Sequence, residues 1–137
     1  MERTLVELES KRTRLHEQMA ALGDFRRGSI SVNFRKCGKN NCACSRAGHP
    51  GHGPQYLWNA TIEGKSQAEN LRLGPHLEKV SQEIENHHTF VRLSKEIVTV
   101  NEAICRKRPV SEVQDEQELQ SLKKKLQKRF AAKQRRR

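Results

Sequence analysis

Three cysteines and two histidines fall within residues 37–52, as Cys37, Cys42, Cys44, His49 and His52, and this cluster constrains the chain more than anything else in it. Three thiols cannot all pair as disulfides, and a reducing compartment would not keep them oxidised. Thiolates and imidazole are instead the ligands that Zn²⁺ prefers, four at a time in a tetrahedron. The intervening residues include Gly38, Gly48 and Gly51, with Gly53 following, so the backbone is free enough to wrap around one ion. The spacing C-x4-C-x-C followed by a histidine is not the usual pair of C-x2-C knuckles. The residues alone leave an iron–sulfur cluster or unliganded thiols as alternatives, and leave His49 and His52 both open as the fourth ligand. No acidic residue lies between Asp24 and Glu63. A catalytic zinc, which needs a carboxylate close by, is therefore not expected, and the site reads as structural.

Composition sharpens this. Only 34% of the 137 residues are hydrophobic and 4% aromatic, against 31% charged, too little apolar material to enclose a deep substrate pocket. With no base and orienting carboxylate beside Cys37, Cys42 or Cys44, the chain is not expected to be an enzyme. No apolar run approaches the roughly 20 residues of a membrane span. The N-terminus lacks the hydrophobic stretch of a secretory signal, so the reading is a cytoplasmic protein.

The net charge of +11 is unevenly spread. Residues 26–74 carry 8 basic and 2 acidic side chains and residues 109–137 carry 9 and 4, whereas 1–25 and 75–108 are nearly balanced. Those boundaries define four segments: an N-terminal amphipathic helix, a basic zinc-knuckle/β module, a long helix, and a basic C-terminal helix or tail. A single basic tail can serve only to keep a protein soluble, but two separate basic segments argue against that and point to a polyanion. The candidate contacts are Arg26, Arg27, Arg35, Lys36, Lys39, Arg46, Lys65 and Arg72 around the knuckle, and Lys123, Lys124, Lys125, Lys128 and Arg129 in the tail. Asn40 and Asn41 would add hydrogen bonds to bases or sugars.

Hydrophobic periodicity gives the elements. Leu5 and Met19 share one heptad position and Leu8, Leu15 and Leu22 the other, with Arg12 the one polar interruption, which predicts a helix over 3–22. Gly74-Pro75 opens a second helical pattern to about Arg106, with its stripe on Leu77, Val80, Ile84, Phe90, Leu93, Ile97, Val100 and Ile104. At 1.5 Å per residue the second helix is about 15 Å longer than the first, so antiparallel packing leaves an overhang, read here as a dimer or partner surface. Between the helices, Ile30, Val32 and Phe34 alternate with polar residues, as do Tyr56, Trp58, Ala60 and Ile62. The turn at Glu63-Gly64-Lys65 returns the chain as a weaker strand over 66–73. The fold class is α+β: a small antiparallel sheet of two or three strands with a zinc-knuckle loop, flanked by two long amphipathic helices forming a hairpin. Tyr56 and Trp58 read first as core residues, and only second as rings for stacking on unpaired bases. Ser111 and Gln114 fit a capping box for the tail helix. Gly64-Lys65-Ser66 lacks the upstream glycine and following helix of a phosphate-binding loop. Cys105 reads as a small core or interface residue, and His87-His88 as exposed surface.

The string Arg26-Arg27-Gly28-Ser29-Ile30, then Phe34-Arg35-Lys36-Cys37-Gly38-Lys39 with Cys42 and Cys44, then His52-Gly53-Pro54 and Tyr56, resembles a family of small bacterial proteins of unknown function. The resemblance covers about residues 26–105, leaving the first helix and the tail outside it. It implies a zinc-type knuckle between strands, with His52 as the fourth ligand beside Cys37, Cys42 and Cys44, and an association with mobile elements. Two functions remain on these grounds. One is a zinc-stabilised accessory protein that binds DNA or RNA. The other is a helical homodimer or adaptor for a larger recombinase or nuclease.

Overall fold

The computed structural model describes residues 2–135 and divides into two compact units, the first ending at Ile104 and the second beginning at Cys105. In the first unit, helix α1 spans Leu5–Ala20. It starts where Thr4 can cap it: the Glu7 backbone N–H donates to Thr4 Oγ1 at 3.2 Å, and the Thr4 N–H donates back to Glu7 Oε2 at 3.3 Å. This capping box satisfies two of the N–H groups that a helix start leaves free. Strands β1 (Ser29–Arg35), β2 (His52–Ile62) and β3 (Lys65–Leu71) follow. They form one antiparallel sheet in the order β1-β2-β3, with Ile30 opposite Trp58 and Tyr56 opposite Leu71. Helix α2, Pro75–Lys107, closes the unit and runs three residues into the next.

Helix α2 is the common backing for everything else. Its C-terminal half, through Leu93, Val100 and Ile104, packs on Leu8 and Leu15 of α1, with Leu5, Met19, Leu22 and Ile97 at the margins. Arg12, the polar residue in the α1 stripe, donates from Nη1 to Asn101 Oδ1 at 3.0 Å, and Asn101 in turn donates to the Ile97 carbonyl at 2.9 Å. Arg12 meets residue 101, Asp24 accepts from Asn86, and the Arg26 N–H donates to the Glu83 carbonyl. Partner numbers fall as the chain advances, so the helices are antiparallel.

The overhang of α2 is not a free surface. Val80 and Ile84 are buried there under the chain's own sheet, against Leu71, with Ile30, Tyr56, Trp58 and Leu77 packed around them. The sequence shows that α2 is too long for α1 but not that the sheet takes up the difference. A second departure is in β1: Val32 is 55% exposed and Phe34 49%, although both were expected to face the helices with Ile30. One helix is about 10 Å wide, and strands are about 4.8 Å apart, so a single helix cannot cover three strands along their whole length. The end of β1 nearest the cysteines is left open.

One polar cluster pins sheet to helix. Glu83, only 8% exposed, lies within the apolar stripe of α2. Its Oε1 is 2.9 Å from Arg26 Nε and its Oε2 2.6 Å from Lys79 Nζ. The Arg26 guanidinium lies 4.8 Å from the centre of the Trp58 ring, and Trp58 Nε1 donates to the Arg27 carbonyl at 2.8 Å. Gly28, at φ +113°, is what lets the chain pass so close: a Cβ there would sit 2.4 Å from the Asn59 carbonyl oxygen and 2.6 Å from Trp58 Nε1.

In the second unit, α3 spans Glu116–Arg135 and buries none of its described residues. The expected capping box at Ser111 and Gln114 is not used. Asp115 caps instead, accepting from the Gln117 N–H at 2.9 Å, with Glu116 and Glu118 in the first turn. A carboxylate cap followed by two acidic residues suits the positive end of the helix dipole better than Ser111 does.

The Glu83 cluster makes a pH-dependent contribution. The hydrogen bond from Lys79, against an opposing cost of burial and helped by the charges of Arg26 and Lys79, holds the Glu83 carboxyl below its ordinary value of 4.5. A group with a depressed folded-state value adds stability above its unfolded value and loses it as the pH falls through the folded one. Glu83→Gln is therefore expected to cost about 2 kcal/mol at pH 7. Denaturant melts of the two proteins should converge well below pH 4.5, and a difference unchanged by pH would show that the charge is not what matters.

Candidate metal centre

Strand β1 ends at Arg35 and β2 begins at His52, and these two residues pair across the sheet. The residues between them therefore form a closed loop whose two ends are fixed. Cys37 lies just past the end of β1, Cys42 and Cys44 flank the start of a short turn of 3-10 helix at Ala43–Ser45, and His52 is the first residue of β2. Local bonds shape the turn: Ser45 Oγ donates to the Cys42 carbonyl at 2.7 Å, and the Cys42 N–H donates to the Lys39 carbonyl at 3.3 Å. Gly51 closes it at φ +106°, its backbone against that of Arg35, where an added Cβ would come within 2.7 Å of the Arg35 carbonyl carbon.

This folding brings Cys37, Cys42, Cys44 and His52 together, with their ligand atoms all within 4.8 Å of one another, close enough to hold a metal ion. Cys37 Sγ is 3.5 Å from Cys44 Sγ, and Cys42 Sγ is 3.3 Å from His52 Nε2. Cys44 is buried at 1% exposure, Cys42 half-buried, and Cys37 and His52 open to solvent. His49 is occupied elsewhere, its Nδ1 accepting from the Gly51 N–H at 2.9 Å. The geometry thus selects His52 over His49. The Lys39 backbone N–H, then the His52 ring and the Cys44 thiol, bring Cys37 down from 9.0 to about 6, so that at neutral pH it is a thiolate. For Cys44 the Cys37 N–H favours the thiolate, but burial and the neighbouring thiols outweigh it and push it above 9.0. Three sulfurs so close cannot all carry charge without a cation between them.

The candidate basic residues are divided between places. Arg35, Lys36, Lys39 and Arg46 stand around the cysteine loop, all exposed, with Lys36 Nζ 3.5 Å from the Arg46 carbonyl. Arg72 follows β3, whose last residue pairs with Tyr56. Lys65 starts β3 opposite Ile62, at the far end of the sheet from His52. Arg27 is exposed beside Trp58, while Arg26 is turned inward onto Glu83. Lys123, Lys124, Lys125, Lys128 and Arg129 are exposed on α3 in the second unit. Tyr56 and Trp58 are both half-buried against the α2 core.

Sequence reasoning missed the Arg26–Glu83–Trp58 cluster and a group of three rings formed by Phe25, His87 and Phe90. His88 is exposed as expected, but His87 is half-buried, 6.0 Å from Phe25 and 6.2 Å from Phe90. A signal was present in both cases. Glu83 is a charge at an apolar position of α2, and Phe25 is a large ring in a connection.

Residues 5–82 match a family defined as a domain of unknown function, DUF6788, and the chain belongs to that family. The match extends further toward the N-terminus than the resemblance read from the motifs: α1 lies inside it, and all of α2 beyond residue 82 lies outside. No curated protein and no solved structure matches the chain significantly.

One metal ion per chain is expected on elemental analysis of protein purified without chelator. Cys42→Ser should lower both the metal content and the melting temperature, whereas His49→Ala should keep the metal. Equal metal content in the wild type and Cys42→Ser would remove the site.

Proposed function

We propose that this protein binds nucleic acid through a basic module held rigid by Zn²⁺, as an accessory to a larger nucleoprotein machine of the kind that mobile elements or phages use. The observation that carries this is the charge of the module: 8 basic side chains against 2 acidic over residues 26–74, and no acidic residue at all between Asp24 and Glu63. Zinc is the ion that suits the donor set. Bonds of about 2.3 Å to sulfur and 2.0–2.1 Å to nitrogen put tetrahedral ligand atoms about 3.6–3.8 Å apart. The separations of 3.5 Å and 3.3 Å lie just inside those values. Three thiolates and a neutral imidazole around Zn²⁺ leave one net negative charge, which the neighbouring Lys36, Lys39 and Arg46 offset. With the ion in place the loop is stiff, and Arg35, Lys36 and Lys39 are presented to phosphates in a fixed arrangement. The α3 basic residues add a less directional attraction.

A helical adaptor is the second reading, and one observation favours it. Val91 and Val98, a heptad apart on α2, are 36% and 54% exposed, an apolar strip that a second copy or a recombinase-like partner would cover.

A salt series on four proteins tests the proposal: intact, truncated before residue 123, substituted Arg35, Lys36 and Lys39→Ala, and carrying both changes. Log affinity should fall with log salt at about −0.7 to −0.9 per phosphate contact, and the truncation should flatten that slope. The loop substitutions should weaken binding and also change the preference between structured and unstructured nucleic acid. Absence of binding to DNA and RNA at about 50 mM salt, where such contacts are strongest, would leave the adaptor reading in its place.

A further inference from the structure

An open groove of about 550 Å³ lies between the connection that follows α1, the far part of β2 and the middle of α2, with Phe25, Arg27, Trp58, Ile62, His87 and Phe90 along it. Trp58, its nearest lining residue on β2, is six residues from His52, roughly 20 Å at about 3.3 Å per residue, so the groove is separate from the cysteine cluster. The volume is within the roughly 300–1,000 Å³ of small-ligand sites. The chain has one Trp and four Phe, and Trp58, Phe25 and Phe90 all meet here. The Phe25 and Phe90 rings are stacked, with centres 4.7 Å apart and planes inclined by 18°. His87 packs beside this pair, its ring centre 6.0 Å from Phe25 and 6.2 Å from Phe90, so that the three rings form a triangle. A ring pair serving only as core would be covered, yet Phe25 is 45% exposed.

The charged residues that line this groove, Arg26 and Arg27, are both basic, while the carboxylates of Asp24 and Glu63 adjoin it in the chain without lining it. Glu83 is engaged by Arg26 and Lys79. Among the described residues no carboxylate pairs with Arg27, an exposed residue of the groove lining. Flat apolar faces beside an uncompensated cation suit a flat π-system that carries an anion. We propose that this groove takes an unpaired nucleobase from a single strand, stacked on the Phe25–Phe90 pair, with the adjoining phosphate on Arg27. The site rests on the nucleic-acid reading above and narrows it, at this face, to single-stranded DNA or RNA. Stacking on aromatic side chains is how sequence-tolerant single-strand binding gains affinity, because every base has a π-face. Trp58, covered on one side by Arg26, acts as a wall of the groove and not as the platform.

Since Trp58 is the one tryptophan, its fluorescence reports on this groove alone. The full chain is titrated with a short single strand, with an abasic strand of equal length and charge, and with a duplex of the same sequence, following Trp58 emission and ligand anisotropy. The base-bearing strand should change Trp58 emission, and the abasic strand should not. Phe25→Ala should weaken the single strand about tenfold, Phe25→Tyr should restore it, and Arg27→Ala should weaken it while leaving Trp58 emission responsive at saturation. Abasic and duplex binding should stay as in the wild type for Phe25→Ala. If strand and abasic strand bind alike with no change at Trp58, or if Phe25→Ala weakens all three ligands equally, the groove is not a base site although the nucleic-acid reading survives. If Phe25→Ala instead dissolves a homodimer of the wild type, the groove is an interface between copies and the base site falls, and if none of the three ligands binds, both readings fall.

Discussion

Glu83 is the buried charged residue on which the assembly of the first unit turns. A carboxylate enclosed in an apolar stripe is costly unless its charge is met, and here Lys79 hydrogen-bonds one oxygen while the Arg26 charge lies 2.9 Å from the other, which forms no hydrogen bond. That requirement fixes where the chain must be as it leaves α1. Arg26 has to reach α2, so the connection runs along the helix at residues 83–86 before turning into β1, and it does so with Arg26 lying on Trp58. The start of β1 and the middle of β2 are thereby set against the same helix turn that the carboxylate occupies. Removing the carboxylate would leave Arg26, the more enclosed of the two cations, without its partner, whereas loss of Lys79, which is largely exposed, would leave the Arg26–Glu83 pair in place.

The parts of the fold governed by simple periodicity were legible in the sequence. The helix stripes, the alternation of β1 and β2, and the turn at Glu63 and Gly64 depend on neighbours in sequence, and they form about where expected, with the return strand at Lys65–Leu71. The cysteine cluster was equally legible, because its ligands are close in the chain and the connecting loop is short. What local pattern could not give is how much surface each element covers. Val32 and Phe34 alternate as well as Ile30 does, but whether they are buried depends on the width of a helix that arrives forty residues later. The ring group is hidden for a similar reason: Phe25 and Phe90 are far apart in sequence, and His87 is an unremarkable residue until both rings are beside it.

The basic residues show how the same charge count can hold two arrangements. Counted along the chain, residues 26–74 form one positive segment, which reads as a single patch. In three dimensions, β2 separates them, with Arg35, Lys36, Lys39 and Arg46 around the cysteine loop and Arg27 and Lys65 toward the other end of the sheet. Arg26 leaves the set altogether by pairing with Glu83. An extended ligand that touched both ends would have to run along the sheet. Its outer face there is uncharged, with Ser29, Ser31, Asn33, Asn59, Thr61 and Asn70 around a central Leu57, and Asn59 and Asn33 both donate to Ser31 Oγ. Such a face gives hydrogen bonds without repelling a polyanion.

The division of labour along α2 bears on how this chain acquires its structure during synthesis. The stripe of α1 is made first, yet Leu8 and Leu15 are covered by Leu93, Val100 and Ile104, which come last in the unit. The sheet, too, waits for Val80 and Ile84. A nascent chain ending at residue 82 would contain the whole stretch that defines the family while α1 still had nothing to lie against. The segment that carries family identity is therefore not an autonomous folding unit. Cooperativity in this protein comes from its most distant pairings, between the first helix and the end of the last element of the unit.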